Sequence, residues 1–468
     1  MRRTIVLLAT MALTLWVASG LALAAGVGSA TAQSSVVGPG ESIQKAINAA
    51  DPGDTIIVRG VHHEDVAIRK DGIKLRGDNA VIEAPAKADS PCSRAFGAPE
   101  AICVLGDVNL ETFEVKKRVK DVSVRGFTIR GFKEGGQEGE PVFSIDLTGT
   151  RDATVAGNRT VGNVASGIVV SASIDPTVVD NDVIGNPKSN GLGILVSDSS
   201  LNAKVVKNAV KSYPEGSEAI KVTAGSANTT IAGNDLIGNG LGVIVEKSPG
   251  TKVRSNDITD STAVGTLILD STGTKIRSNH IKRSGDTGIV IFGSQRANTD
   301  AKVVGNNISD GGWGIYVGDI TKGGSIAGNT IRNNCAGMFF EADQFDEHVV
   351  GFEVRGNTVE DNTRSCQAEK FDRNVSGVGI ALLGAASGME VKGNHLSGNV
   401  PSGPTRISGG VVVSKDPYAS RSPKPMNNSV TANHFGRNKP DIYWDKSGSG
   451  NSFVGNHCNK SVPSSLCN

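Results

Sequence analysis

Two acidic residues, Glu246 and Asp270, are the first candidates for chemistry in this sequence. Each follows a short Val/Ile/Leu-rich segment, and alternation along those segments places both side chains at equivalent outward positions in consecutive repeat units. Stacked strands lie ~4.8 Å apart, a separation at which two carboxylates raise one pKa or attract a cation. Carboxylates about 5–5.5 Å apart also serve retaining glycosidases, and oxygen-rich clusters suit Ca²⁺. Lys221, one unit earlier, would contact an anion, and we predict these three residues to be catalytic.

Aromatic residues continue the same predicted face. Alternation places Tyr316 and Phe339 outward in one column and Phe292 outward in the next. Rings spaced in this way could stack on sugar rings, so the three are predicted to bind substrate. The alternative is that this apolar column lies under a loop.

The following segments carry a row of cations. Alternation points these residues outward: Lys252, Arg254, Lys275, Arg277 and Lys302. Arg254 and Arg277 are therefore predicted to contact an acidic substrate. The row could instead pair with Glu246 and Asp270 across a short turn, each pair contributing ~0–1 kcal/mol.

A second candidate region lies in the longest insertions. One insertion contains Glu341, Asp343 and Asp346, which we predict to be metal ligands for Ca²⁺. The next carries Arg364 and Arg373, and a cation beside an acid cluster could remove the proton next to a uronate carboxylate. The alternative is a polar surface loop held by a disulfide.

A sequence repeat predicts the strands that would position these residues. An apolar-x-x-Asn unit recurs along most of the chain, with its asparagines at Asn158, Asn181, Asn208, Asn234, Asn256, Asn279, Asn306, Asn329, Asn357, Asn394, Asn433 and Asn456. Each unit holds three short alternating segments separated by Gly, Asn, Asp and Ser, with no room for a helix. Leucine-rich repeats share the apolar-x-x-Asn step, but their L-x-x-L-x-L pattern and helical half-repeat are absent.

These features predict an all-β, parallel β-helix solenoid with three strands per coil and about 12–14 coils. Stacking would bring the asparagines into one hydrogen-bonded column at a turn. Val122 to Phe127 reads as an early coil, with Phe127 in the Asn position. An amphipathic helix over residues 42–50 would cap the open N-terminal end of the stack.

The cysteines fall into three pairs that are local in sequence. The expected disulfides are Cys92–Cys103, Cys335–Cys366 and Cys458–Cys467. An even number of cysteines in an exported chain favours disulfides over metal binding.

The N-terminus indicates export. Arg2 and Arg3 precede an apolar stretch and two A-x-A sites, which predicts a cleaved signal peptide over residues 1–32. The mature protein is then expected to be secreted and extracellular, either free or attached to the cell surface. An uncleaved membrane anchor is the alternative and would be the only membrane contact. The formal net charge of +1 disfavours a nucleic-acid partner.

With the repeat laid out, the chain resembles the right-handed parallel β-helix, pectin-lyase-like superfamily over about residues 36–468. The segment from Ser42 to Val58 (SIQKAINAADPGDTIIV) resembles the first coil of such exported proteins. We expect one domain over 33–468, with a cap and first coils over 36–120, Asn-ladder coils over 121–457 and a disulfide-closed C-terminus over 458–468. The resemblance implies that the Gly-Ile-x-Val strand, such as Gly167 to Val170, is the first of each coil and carries substrate in the lyases.

No catalytic subfamily follows from the resemblance. Asn298-Thr299-Asp300 matches one motif of polygalacturonase-type hydrolases, and their other motifs are absent. Nitrous-oxide-reductase accessory proteins share the coil repeat and are associated with copper delivery. The chain has 5 Met, however, and its histidines after ladder positions (His280, His395, His434 and His457) read as exposed turn residues in widely spaced coils.

Two functions follow. One is an exported protein that binds or acts on acidic polysaccharide or a cell-surface glycan, by lyase-like β-elimination if it is an enzyme, with Ca²⁺ as the conceivable cofactor. The other is a non-catalytic extracellular solenoid that binds partners through its stacked face.

Overall fold

The computed structural model describes residues 32–97, 99–132, 142–162, 166–186, 191–342, 346–367, 373–419 and 421–467. The predicted signal peptide, residues 1–32, lies outside these ranges except for Ala32. Within them, no helix combines the length and apolar character needed to cross a membrane.

The chain winds into a solenoid whose coils each contribute a strand to three parallel sheets, here called sheets 1, 2 and 3 in the order in which a coil meets them. Almost all pairs of neighbouring strands belong to consecutive coils, and the described pairings form one continuous 41-stranded array. Sheet 1 contains Val66–Ile68, Ile102–Leu105, Phe143–Thr148, Ser166–Ser171, Leu192–Ser197, Glu218–Val222, Leu241–Glu246, Thr266–Leu269, the first parts of Thr287–Val304 and Trp313–Ala327, Ala336–Ala342, Val378–Gly384, Gly409–Ser414, Ile442–Trp444 and Ser461–Val462.

Sheets 2 and 3 complete the coils. Sheet 2 contains Ser34–Val37, the first parts of Thr55–His63, Lys74–Glu83 and Ser123–Arg130, then Thr154–Ala156, Thr177–Val179, Lys204–Val206, Thr230–Ala232, Lys252–Arg254, Lys275–Arg277, the last parts of Thr287–Val304 and Trp313–Ala327, His348–Arg355, Ala386–Ser387, Glu390–Lys392, Ser429–Thr431 and Ser452–Val454. Sheet 3 contains the last parts of Thr55–His63, Lys74–Glu83 and Ser123–Arg130, then Arg159–Val161, Asp182–Ile184, Ala209–Lys211, Asp235–Ile237, Asp257–Thr259, His280–Lys282, Asn307–Ser309, Thr330–Arg332, Thr358–Glu360, His395–Ser397 and His434–Gly436.

The core consists of Val, Ile and Leu side chains that stack in columns inside the coils. Ile168 and Val170 point inward with no exposed surface, and they stack on the equally buried Ile194 and Val196 of the next coil. Burying each such side chain contributes roughly 1.5–3 kcal/mol. The apolar side chains that alternate inward along each strand therefore stabilise the solenoid by stacking from coil to coil. The same alternation determines which residues point outward.

The asparagine column forms as predicted, at the turn between sheets 2 and 3. Each ladder residue gives its side-chain amide and its backbone N–H to the side-chain oxygen of the next, as Asn256 does to Asn279 at 2.9 and 3.0 Å. Phe127 occupies the Asn position at the first end, where its N–H donates to Asn158. A second ladder, which the sequence analysis missed, follows the first by five residues and joins Asn334, Asn362, Asn399 and Asn438.

The ends are closed by short elements. The helix Ile43–Ala49 buries Ile43 and Ile47 against the first coils, and the Ser42 hydroxyl caps it by accepting the Lys45 N–H. A second helix, Pro91–Phe96, packs beside sheet 1, and the 3₁₀-helix Ser464–Leu466 lies at the far end. Two small pairings lie outside the coils: Asp107–Val108 with Val115–Lys117, and Val119–Lys120 with Thr150–Arg151.

All three expected disulfides are present. Cys92–Cys103 ties the second helix to sheet 1, Cys335–Cys366 joins neighbouring coils, and Cys458–Cys467 closes the last coil.

Candidate functional site

The outer face of sheet 1 carries the predicted catalytic residues, and its register differs from the expectation at one strand. Ile268 is buried and pairs with Val245, so Glu246 lies opposite Leu269 and not opposite Asp270. A one-residue slip moves every side chain of a strand to the other face. The prediction that Glu246 and Asp270 occupy equivalent positions was therefore wrong.

Asp270 has a different task. It follows the strand in the left-handed conformation, and its buried carboxylate accepts the N–H groups of Ser294, Gln295 and Arg296 at 2.7–3.2 Å. Its burial acts to raise the pKa, but these backbone donors outweigh it and hold the pKa of Asp270 below its usual value. The Asp270 carboxylate therefore holds the turn at residues 294–296 in the next coil through these hydrogen bonds.

Glu246 and Lys221 do come together. The Lys221 Nζ lies 3.0 Å from Glu218 Oε1 and 3.9 Å from Glu246 Oε2, and Glu246 also accepts the Thr223 hydroxyl at 3.3 Å. Lys247 approaches Glu246 at 4.0 Å. All the charges are half-buried, so Glu246 is neutralised by Lys221 and Lys247 rather than by the cations of sheet 2.

The three predicted aromatic contacts, Phe292, Tyr316 and Phe339, differ in their exposure. Phe339 has no exposed surface, because Trp313 stacks on it with ring centroids 5.1 Å apart and Val375, Val378 and Ile407 enclose the cluster. Its assignment as an exposed sugar contact was wrong. Tyr316 is half-buried beside Trp313, and Phe292 is half-buried in the Glu246 column, opposite Leu269 and Gly318.

The predicted Ca²⁺ ligand Glu341 has a partner within the protein. Glu341 is buried and forms an ion pair with Arg373, whose guanidinium lies over Trp313 and Tyr418. Burial raises the pKa of Glu341 to about 7, against the opposing effect of Arg373. Arg373 thus takes the place of a metal cation, which corrects the prediction for Glu341. Asp346 is exposed, and Asp343 lies outside the described residues.

The outer face of sheet 2 presents the cations as predicted. Strand pairing sets Lys252, Lys275 and Lys302 in one column and Arg254 beside Arg277 in the next. All five are exposed, and none has an ion-pair partner among the residues that the structure describes. We call these five residues the basic strip. The same two columns contain no acidic residue from Ser123 to Lys302.

Two family models match the sequence. The model described as "Right handed beta helix region" matches residues 52–236, and the one described as "Periplasmic copper-binding protein (NosD)" matches residues 202–349. Coil geometry and these matches define a repeat solenoid of parallel strands. The chain is a member of the right-handed parallel β-helix superfamily.

The chain is similar to several solved structures at low sequence identity. The Dettilon tailspike protein (gp208) is 14% identical, with 77% of this chain and 67% of that chain covered and a TM-score of 0.46. DFA-IIIase from Arthrobacter chlorophenolicus A6, in complex with DFA-III, is 13% identical, with 71% and 95% covered and a TM-score of 0.47. The A-module of the mannuronan C-5 epimerase AlgE4 from Azotobacter vinelandii is 14% identical, with 85% and 91% covered and a TM-score of 0.45. A comparison with curated proteins gave no match.

Proposed function

We propose that the protein is an exported β-helix that binds an acidic polysaccharide along the outer face of sheet 2. The observation that carries the proposal is the basic strip, whose five exposed cations stand in register on consecutive coils with no carboxylate partner in the described residues. Like charges ~4.8 Å apart repel one another by about 1 kcal/mol or less in water. An anionic ligand that lies across them would remove this repulsion.

The shape of the strip favours a linear polymer over a compact anion. Its lysines repeat once per coil along a straight column, and Lys204 adds an exposed cation to the same column two coils before Lys252, with Thr230 between them. A chain with one acidic group per sugar could run along this face with its charges near successive cations. The disulfides and the expected signal peptide support an extracellular or periplasmic site for such a ligand.

Affinity electrophoresis tests the proposal. The native protein should be retarded in gels that contain polygalacturonate, alginate or a glycosaminoglycan, and not in gels that contain neutral dextran. A variant with Lys252→Ala, Lys275→Ala and Lys302→Ala should bind at least about tenfold more weakly, because three charge contacts of ~0.5–1 kcal/mol are lost.

The matched control removes the same charge elsewhere. Lys116, Lys117 and Lys120 are exposed residues near the N-terminal coils, and their triple alanine variant should migrate as the native protein does. Equal weakening by both triple variants, or no retardation in any acidic gel, would contradict the proposal. Equal retardation by duplex DNA would show a general polyanion surface instead.

Catalysis on the same polymer is the second candidate. The half-buried contact of Lys221 with Glu246 on sheet 1 favours it, because Lys221 could neutralise the carboxylate of a bound uronate while Glu246 takes the proton that starts β-elimination. The glycosidic C–O bond would break as the C=C bond forms, and the leaving oxygen would take a proton from water. Ultraviolet absorbance of the unsaturated product, lost in Lys221→Ala, would establish it; unchanged absorbance on prolonged incubation would leave binding alone.

A further inference from the structure

Three histidines form a column on the outer face of sheet 3 at the C-terminal end. His395 pairs with His434 in register, and His434 forms a parallel bridge with His457. The rings of His434 and His457 are already neighbours, with centroids 5.9 Å apart and planes inclined by 48°. All three side chains are exposed.

The column corrects the expectation that these histidines lie in widely spaced coils. Long insertions separate His395 from His434 in sequence. These insertions lie in other parts of the coils, so the strands that carry the histidines still stack on one another. Each histidine directly follows a residue of the first asparagine ladder. The side chains of Asn394, Asn433 and Asn456 are joined at 3.0 and 3.1 Å, which fixes the register to one residue.

The backbone repeats the same geometry at each level. The N–H of His434 donates to the Asn394 carbonyl at 2.9 Å, and the N–H of His457 donates to the Asn433 carbonyl at 2.9 Å. Identical backbone bonds aim the Cβ atoms in the same direction, so the imidazoles project side by side about one strand spacing apart. Among the described residues, none of the three forms an ion pair that would hold its ring nitrogens.

We propose that His395, His434 and His457 form a binding site for a divalent late first-row transition metal ion such as Cu²⁺ or Zn²⁺. Imidazole nitrogen is a preferred ligand of these ions, whereas Ca²⁺ and Mg²⁺ prefer oxygen. Rotation about the side-chain bonds brings the nitrogens of adjacent rings onto one ion, and water fills the remaining positions. His434 is the shared ligand, because it neighbours both of the others.

This site is independent of the basic strip and of the family match to a copper-binding protein. It lies on another sheet, and that match ends at residue 349. His280 provides the internal control. It occupies the same position after ladder residue Asn279, but its neighbours in the column are Asp257 and Asn307, and its Nδ1 lies 3.3 Å from an Asp257 oxygen.

The test is a calorimetric titration of the untagged full chain with Cu²⁺ and with Zn²⁺. We expect one ion per chain, and we expect His434→Ala to weaken binding by about tenfold or more, since loss of even a supporting group beyond the ligands costs 10–100-fold. His395→Ala and His457→Ala should each weaken it no more than His434→Ala does, and His280→Ala should leave it unchanged. Electron paramagnetic resonance of the Cu²⁺ form should show nitrogen ligands that His434→Ala reduces.

Two results would overturn the assignment. One is the absence of binding of either ion by the native protein. The other is a His434→Ala variant that binds as the native protein does, or no more weakly than His280→Ala. Circular dichroism of each variant separates a lost site from a lost fold.

Discussion

Asn279 donates both its side-chain amide and its backbone N–H to the side-chain oxygen of Asn306, each at 2.9 Å. Its own side-chain oxygen accepts the same two groups of Asn256, at 2.9 and 3.0 Å. One side chain therefore satisfies buried backbone and amide groups in two neighbouring coils. Repetition of this bond makes the turn between sheets 2 and 3 the most regular feature of the molecule.

Replacing a middle ladder residue should destabilise the whole solenoid. Asn279→Ala leaves the N–H and amide of Asn256 buried without their acceptor, so we expect a loss of about 2–4 kcal/mol in the free energy of unfolding. Urea unfolding followed by circular dichroism measures it. Asn48→Ala, an exposed asparagine on the N-terminal helix, should change stability by less than about 0.5 kcal/mol. Equal effects of the two variants would contradict the role of the ladder.

The repeat made the fold and the Asn ladder predictable, because a buried amide column requires one residue type at one position of every coil. The second ladder had the same kind of signal, an asparagine five residues after Asn329, Asn357, Asn394 and Asn433. Its run is short, because Ser261, Ser284 and Gly311 occupy the same position in the three preceding coils.

The outward faces were predicted less well, for physical reasons. In the strand Thr266–Leu269 every residue but one is aliphatic, so alternation does not show which side faces the core, and a slip of one residue separated Asp270 from Glu246. Phe339 and the histidine column depend on how insertions fold back or leave the coil. Such long-range packing leaves no local pattern in the sequence.

Asp270 should stabilise the turn at residues 294–296 to an extent that depends on pH. Its pKa is lowered in the folded state, so the stability it contributes is present above the unfolded value of about 3.9 and is lost as the pH falls below it. Asp270→Asn should cost about 1–2 kcal/mol at pH 7, because neutral acceptors bind N–H groups more weakly. The difference between the native protein and the variant should shrink on acidification. A variant as stable as the native protein at neutral pH would show that the turn does not need the charge.

Phe339 should matter for stability rather than for ligand binding. Phe339→Ala removes a fully buried ring from beneath Trp313, and we expect a cost of about 3–5 kcal/mol in thermal or urea unfolding. Under conditions in which the variant remains folded, polysaccharide affinity should be unchanged. Selective loss of affinity with native stability would restore the ring as a sugar contact.

Asp146 should make the N-terminal coils less stable at alkaline pH. It is fully buried, and burial raises its pKa to about 7 despite the hydrogen bond from the Thr148 hydroxyl. An acid whose pKa rises on folding contributes stability below the unfolded value of about 3.9, and that stability is lost as the pH rises towards 7.

Asp146→Asn keeps an oxygen for Thr148 and cannot ionise. At pH 8 the variant should be more stable than the native protein by roughly 2–4 kcal/mol, and the advantage should vanish near pH 4. Asp180→Asn, at an exposed turn position, is the matched control and should show no such dependence. A variant that is less stable than the native protein at pH 8 would mean that the carboxylate is ionised and held by an anion-stabilising partner.

Reversing the central charge of the basic strip is the most direct test of the proposed function. Lys275 is flanked by Lys252 and Lys302, so Lys275→Glu places a negative charge in the middle of the column. Calorimetric titration with polygalacturonate at low ionic strength should give a dissociation constant about tenfold higher for Lys275→Glu and unchanged for Lys116→Glu, with the difference shrinking as salt is added. Equal dissociation constants for the native protein and Lys275→Glu would contradict polysaccharide binding on this face.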